Sequence, residues 1–261
     1  MRFVPFVILI AALIAGIASP AWAITNGSPD GNAHPEVGAL IGDEPYPDGT
    51  WSYCTGTLIS PTVFLTAAHC GEPKRKTVKV SFSSHYRPGA PVYEGRYVAD
   101  SRYKGSKSDM YDIAVVVFGT AVPNIKPARL PAAGMLDRLK AEGELKTARF
   151  TPVGFGSLNP TRGAHGKQKF TYTDTRYRTS ISFDSLSRSW LRLDLNRARG
   201  DGGSCYGDSG GPNFLEGAGQ DDLLVATSIS GDDDACKAAN FDYRLDSPSA
   251  RKFLGRFVTL P

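Results

Sequence analysis

Thr77-Val78-Lys79-Val80-Ser81-Phe82 places an apolar side chain at every second position. That is the period of a half-buried strand, whose side chains point alternately to the two faces of a sheet. Outward from it, short apolar or alternating runs recur at Val37 to Ile41, Thr55 to Ile59, Thr62 to Ala67, Val92 to Val98 and Ile113 to Phe118. They return at Phe150 to Gly156, Lys169 to Thr173, Ser189 to Leu195, Leu223 to Ile229 and Phe241 to Leu245. Gly, Pro, Asn or Asp lies between them, and strands spaced this closely predict an all-β barrel or sandwich. Two segments have helical spacing instead. Ala132 to Glu144 carries Met135, Leu136 and Leu139 among charges, and Ser247 to Phe257 sets Phe253, Leu254 and Phe257 behind Pro248. The second predicts a C-terminal helix packed on the second half. Asn159 to Gln168 is polar and reads as a surface loop, and no internal repeat is present. Two β-rich halves meeting near residues 125 to 145 are the coarse plan.

The chain of 261 residues is long enough for a substantial core, and 41% of it is apolar. Its 30 basic and 26 acidic residues leave a net charge of only +4. Nucleic-acid binding needs a concentrated basic face, so no nucleic-acid partner is expected. Lys74-Arg75-Lys76 is the one tight basic run and reads as a solvated turn.

Compartment is read from the first residues. Arg2 precedes an apolar stretch from Phe3 to Ile17, followed by Ala21-Trp22-Ala23. A positive start, a short apolar run and small residues two apart are the signature of a cleaved signal peptide. The run is shorter than the roughly 18 residues that mark a spanning helix. The expectation is a signal peptide over 1–23 and a mature domain over 24–261, secreted and free of the membrane. Cys54, Cys70, Cys205 and Cys236 contain no C-x-x-C pair. An even number of cysteines behind a signal peptide reads as two disulfides, with three connectivities open. No metal or cofactor is expected.

Three local signals carry chemistry. Thr66-Ala67-Ala68-His69-Cys70 ends an apolar strand, Asp112 opens the apolar run Ile113 to Val117, and Gly207-Asp208-Ser209-Gly210-Gly211-Pro212 surrounds a serine with glycines. Taken singly, each has an ordinary explanation: a structural histidine, a turn aspartate with Asp109 as a rival, a glycine-rich turn. Taken together they supply a base, a carboxylate to orient it and a hydroxyl to be activated. Bare amides around Ser209 suit an oxyanion.

These motifs, in the order His, Asp, Ser, resemble the trypsin/chymotrypsin family of serine proteases. Ile24-Thr25-Asn26-Gly27, Thr55 to Ile59 and Gly154-Phe155-Gly156 add smaller matches. The resemblance implies two six-stranded antiparallel β-barrels with a C-terminal helix, the first over 24–135 and the second over 136–261. It implies a monomeric endopeptidase acting on proteins or peptides, with His69, Asp112 and Ser209 as the catalytic triad. It also implies an oxyanion hole at Gly207 and Ser209, and disulfides Cys54–Cys70 and Cys205–Cys236. Further, Ser228 would orient Asp112, and the amine of Ile24 would pair with Asp208. The alternative is a protease-like binding protein that has lost activity.

The primary pocket departs from the family pattern. Gly203 stands where enzymes cleaving after Lys or Arg carry Asp. Ser204, the wall Ser228-Ile229-Ser230 and Phe241 would complete the pocket. If Phe241 and Ile229 narrow it, small or medium apolar side chains are expected before the scissile bond. Asp232-Asp233-Asp234 reads as a solvated loop, or else as an acidic rim. The low cysteine count hints at a microbial source.

Overall fold

The structure, a computed structural model, describes residues 24–71, 76–105, 110–163, 166–217 and 223–261. The signal-peptide reading, Lys74, Arg75 and Asp109 lie outside the described residues.

The first barrel comprises β1 (Val37–Ile41), β2 (Ser52–Ser60), β3 (Val63–Thr66), β4 (Thr77–Ser81), β5 (Tyr93–Ala99) and β6 (Ala114–Phe118). They close in the order β1-β2-β3-β6-β5-β4. The second comprises β7 (Arg149–Gly154), β8 (Ile181–Leu186), β9 (Trp190–Asp194), β10 (Pro212–Leu215), β11 (Leu224–Gly231) and β12 (Asn240–Arg244). Its order is β7-β8-β9-β12-β11-β10, and pairing of β10 with β7 closes it. All these pairings are antiparallel, so the fold is all-β with two six-stranded barrels, as expected.

Sequence expectations fail at three places in the second half. Lys169 to Thr173 is not a strand beyond a two-residue pairing at Gln168–Lys169. Ile181–Leu186 is a strand without a strand period in its sequence, because a bulge between Phe183 and Ser185 breaks its alternation. Pro212–Leu215 is four residues long, too short for a period to show.

The helices are shorter than their patterns: α1 spans Met135–Ala141 and α2 spans Pro248–Leu254. The Ser247 side chain caps α2 by accepting from Ala250 N–H, and Pro248 fits the first turn because its missing N–H would have no helical partner. Ala250, Phe253 and Leu254 then bury against a core that joins Leu224, Tyr243 and Leu245 to first-barrel residues.

Polar staples lock the barrels together. Arg176 precedes the short strand Tyr177–Arg178, which pairs with β7. Its fully buried guanidinium donates to Asp30 Oδ2 (2.8 Å), Val37 O (2.8 Å), Phe82 O (3.3 Å) and Gly31 O (3.0 Å). Burial alone would raise the Asp30 carboxyl, but His34 at 2.6 Å and Arg176 outweigh it and hold it at about 2. Nearby, the Asp174 carboxylate accepts from the Trp51 and Ser52 amides and the Ser52 hydroxyl, which fixes the start of β2.

Candidate active site

β3 delivers the chain into a single 3-10 turn over Ala68–Cys70, which presents His69 to the space between the barrels. A disulfide joins Cys70 to Cys54 on β2. Tyr97 on β5 holds the turn from the other side, its hydroxyl donating to Ala67 O (2.6 Å) and Ala68 O (3.1 Å). Burial pushes that hydroxyl well above the ordinary phenol range, so it stays a donor. Asp112 sits just ahead of β6 and is 1% exposed. Its Oδ1 accepts the His69 backbone N–H at 2.9 Å, and its Oδ2 lies 2.7 Å from Nδ1. A carboxylate there favours the proton on Nδ1 and leaves Nε2 free to act as a base.

Ser209 lies on a loop that both barrels hold. Cys205 is tied to Cys236, so both disulfides join the pairs implied by the family resemblance. Asp208 folds back beneath the loop, accepting from the amides of Cys205 (2.8 Å) and Gly156 (2.7 Å). Gly156 has to be glycine, since a Cβ there would collide with the Asp208 carboxyl. Gly210 has φ +82° and lies so close to Thr55 O, Thr66 Oγ1 and Ala67 N that a side chain has no room. Thr55 on β2 reaches across to this loop. Its N–H donates to Ser209 O (2.9 Å) and its hydroxyl to Gly207 O (2.9 Å). Among the described residues the amides of Gly207 and Ser209 find no acceptor, whereas Asp208 and Gly210 between and beside them donate to Cys205 O and Ser228 O. Two unpaired amides beside a hydroxyl are suited to a developing oxyanion.

Asp208 is buried without a cationic partner among the described residues. Burial pushes its carboxyl up to about 7, against the pull of its two amide donors. Ile24 is also fully buried, and Thr25 exchanges backbone hydrogen bonds with Gly203 (2.9 and 3.1 Å).

A cleft of about 1220 Å³ runs between the barrels, lined by His69, Asp112, Gly207 and Ser209. Ser204, Ser228, Ile229 and Ser230 line it as well, whereas Gly203 and Phe241 do not. The Asn240 side chain covers Gly203, its Oδ1 accepting Ser204 N–H (3.2 Å) and its Nδ2 donating to Ser204 O (3.3 Å). Phe241 sits on the opposite face of β12, under the Arg192 guanidinium at 5.3 Å. The expected role of Ser228 beside Asp112 also differs. Its Oγ lies 3.0 Å from Ser204 Oγ and 3.0 Å from Asn213 Nδ2, facing the second barrel. Asp233 and Asp234 do stand at the rim of the cleft. Thr55 stood in a motif whose cross-barrel role the sequence did not show, and Tyr97, Asn213 and Asn240 carried no site signal, because each acts through a partner distant along the chain.

Comparisons with known proteins bear on the family and the fold. The family model described as Trypsin matches residues 32–246. A trypsin from Phaedon cochleariae is 27% identical over 63% of this chain and 65% of its own, so just under two thirds of that relative is spanned. The snake venom serine protease PA of Trimeresurus stejnegeri is 23% identical over 80% of this chain and 79% of its own. The glucanase inhibitor protein 4 of Phytophthora infestans is 29% identical over 69% of each chain. The solved structure of HL collagenase superposes with a TM-score of 0.67 at 22% identity, covering 89% of this chain and 97% of that one, and shares the fold. These relatives lend no support to a microbial source. With the model matching across both barrels, the chain belongs to the trypsin family of serine proteases.

Proposed function

We propose that this protein is a secreted serine endopeptidase in which Ser209 attacks the peptide carbonyl, His69 takes and returns the proton, and Asp112 holds the imidazole. The observation that carries the reading is the double grip of Asp112 on His69, at 2.9 Å to the backbone and 2.7 Å to the ring, in the cleft that Ser209 also lines. The amides of Gly207 and Ser209 receive the oxyanion, the acyl-enzyme forms on Ser209 Oγ, and water releases it with His69 as base. The glucanase inhibitor among the relatives favours a second reading, a protease-like protein that binds without cleaving. The intact His69, Asp112 and Ser209 set favours the enzyme.

Activation follows from the segment before the first barrel. Ile24 has φ +58°, a left-handed conformation costly for a β-branched residue. Hydrolysis of the bond before Ile24, at the end of the signal peptide, removes that dihedral. The amine it creates supplies the cation that Asp208 lacks. A fluorophosphonate probe tests the proposal: it should label the mature protein on Ser209, located by peptide mapping, and abolish peptide cleavage. No labelling of a folded, processed protein would favour the binding reading. A form carrying extra residues before Ile24 should stay nearly inactive until they are removed.

A further inference from the structure

A second cavity, of about 310 Å³, lies where three parts of the chain meet, and no residue lines both it and the catalytic cleft. The segments between β5 and β6 bring Arg102 and Tyr111, the turn from β8 to β9 brings Arg188, and α2 brings Ser249 and Lys252. Each part thus contributes one cation. Among the described residues that line the cavity there is no carboxylate.

The three cations differ in how they are balanced. Arg102 donates to Asp100 from Nε at 3.0 Å and from Nη2 at 2.6 Å, and Nη2 also reaches Ser249 O at 3.2 Å. Its guanidinium carbon stands 4.2 Å from the centre of the Tyr111 ring, which fixes the plane of the group. Arg102 is therefore neutralised and held in place. Arg188 and Lys252 are exposed and have no hydrogen bond or ion pair among the described residues. Like charges facing one cavity repel, and nothing on these two side chains offsets that.

We propose that this cavity binds a dianionic oxyanion: free phosphate or sulfate, or a terminal phosphate ester. The two unbalanced positive charges match the two negative charges of such a group. Arg188 offers a planar fork of donors suited to two oxygens, and Lys252 offers a compact charge to a third. Arg102 keeps Nη1 to donate and adds no net charge, because Asp100 already answers it. A bound anion ties α2 and the β8–β9 turn to the segment that ends at Tyr111, the residue before Asp112. The inference goes beyond the peptidase reading and does not depend on it, since binding alone tests it.

Calorimetry of the processed protein with sodium phosphate and with sodium sulfate, at physiological ionic strength held by sodium chloride, should show one saturable site. Arg188→Gln and Lys252→Gln should each weaken binding by about 10- to 100-fold. Arg188→Lys keeps the charge without the fork and should fall between the wild type and Arg188→Gln. Both positions are exposed, so these variants should keep the wild-type denaturation midpoint in the absence of the anion. Lys146→Gln removes an exposed cation that does not line the cavity and should leave affinity unchanged. N-acetyl-phosphoserine amide separates the two sources: tighter binding than phosphate assigns the site to an ester, weaker binding to the free ion. No saturable binding of any of the three ligands, or affinity equal to wild type in both Arg188→Gln and Lys252→Gln, would overturn the proposal.

Discussion

The two barrels share one strand order and differ in what they enclose. The first buries Leu40, Leu58, Phe64, Val80 and Val116, with only uncharged hydroxyls such as Thr57, Thr66 and Ser81 buried on the same strands, and mounts His69 and Asp112 at its strand ends. The second buries Asn213, Asp242 and Arg244, the last held by Asp246 at 2.8 Å and Asp137 at 2.7 Å. A hydrocarbon core fixes geometry through packing and has no charge to respond with. A core containing ionisable groups answers to pH. The difference teaches a division of labour: one barrel presents His69 and Asp112, and the other presents Ser209 beside the buried carboxyl of Asp208.

The largest effect should come from joining the two halves of the site. Ser209→Ala or His69→Ala should each cut kcat by about six orders of magnitude, and the double variant should lose little more. Asp112→Asn should cost about four orders, by favouring the wrong tautomer of His69. Additive losses in single-turnover kinetics would mean that the barrels act separately. Next comes the staple. Arg176→Met leaves Asp30 buried without its cation and should cost about 3–5 kcal/mol in chemical denaturation. Adding Asp30→Asn should recover part of that.

Stability against pH separates the barrels by sign. Asp208 and Asp242 keep their protons in the fold up to about 7 and about 8. The unfolded chain releases them near 4, so the fold holds more protons across that window and its stability falls as pH rises through it. Asp30 stays ionised in the fold down to about 2, so its contribution is present above about 4 and is lost as pH falls toward 2. Denaturation of the unprocessed chain from pH 2 to 9 should show both limbs. Asp242→Asn should flatten the upper one, and processing before Ile24 should remove the Asp208 part. The smallest effect is at α2: Ser247→Ala removes the cap and should cost about 1 kcal/mol with kcat unchanged.

How far the sequence could be read follows the same contrast. First-barrel strands are legible because apolar side chains fill most of their buried positions, as at Val37–Ile41 and Val63–Thr66, and His69, Asp112 and Ser209 stand out through distinctive neighbours. In the second barrel the sequence reading puts Phe241 at the pocket and says nothing of Asp242. The structure has the opposite parity, with Asn240 toward the cleft, Asp242 buried and Phe241 under Arg192. A period of two fixes which residues share a face but does not say which face is inside, and a buried polar residue inverts the guess. Arg176 and Asp30 lie 146 positions apart, and nothing local to either announces the other.

Arg176 also imposes an order on biosynthesis. A chain emerges from its N-terminus, so residues 1–150 are complete while Arg176 is still to come. In that interval the first barrel has its strands, but Asp30 and the carbonyls of Val37 and Phe82 wait for a guanidinium not yet made. The half that mounts His69 therefore cannot settle into its final form until the segment that precedes Ser209 has arrived. A nascent or truncated chain that lacks Arg176 is left unfinished at the seam between the barrels.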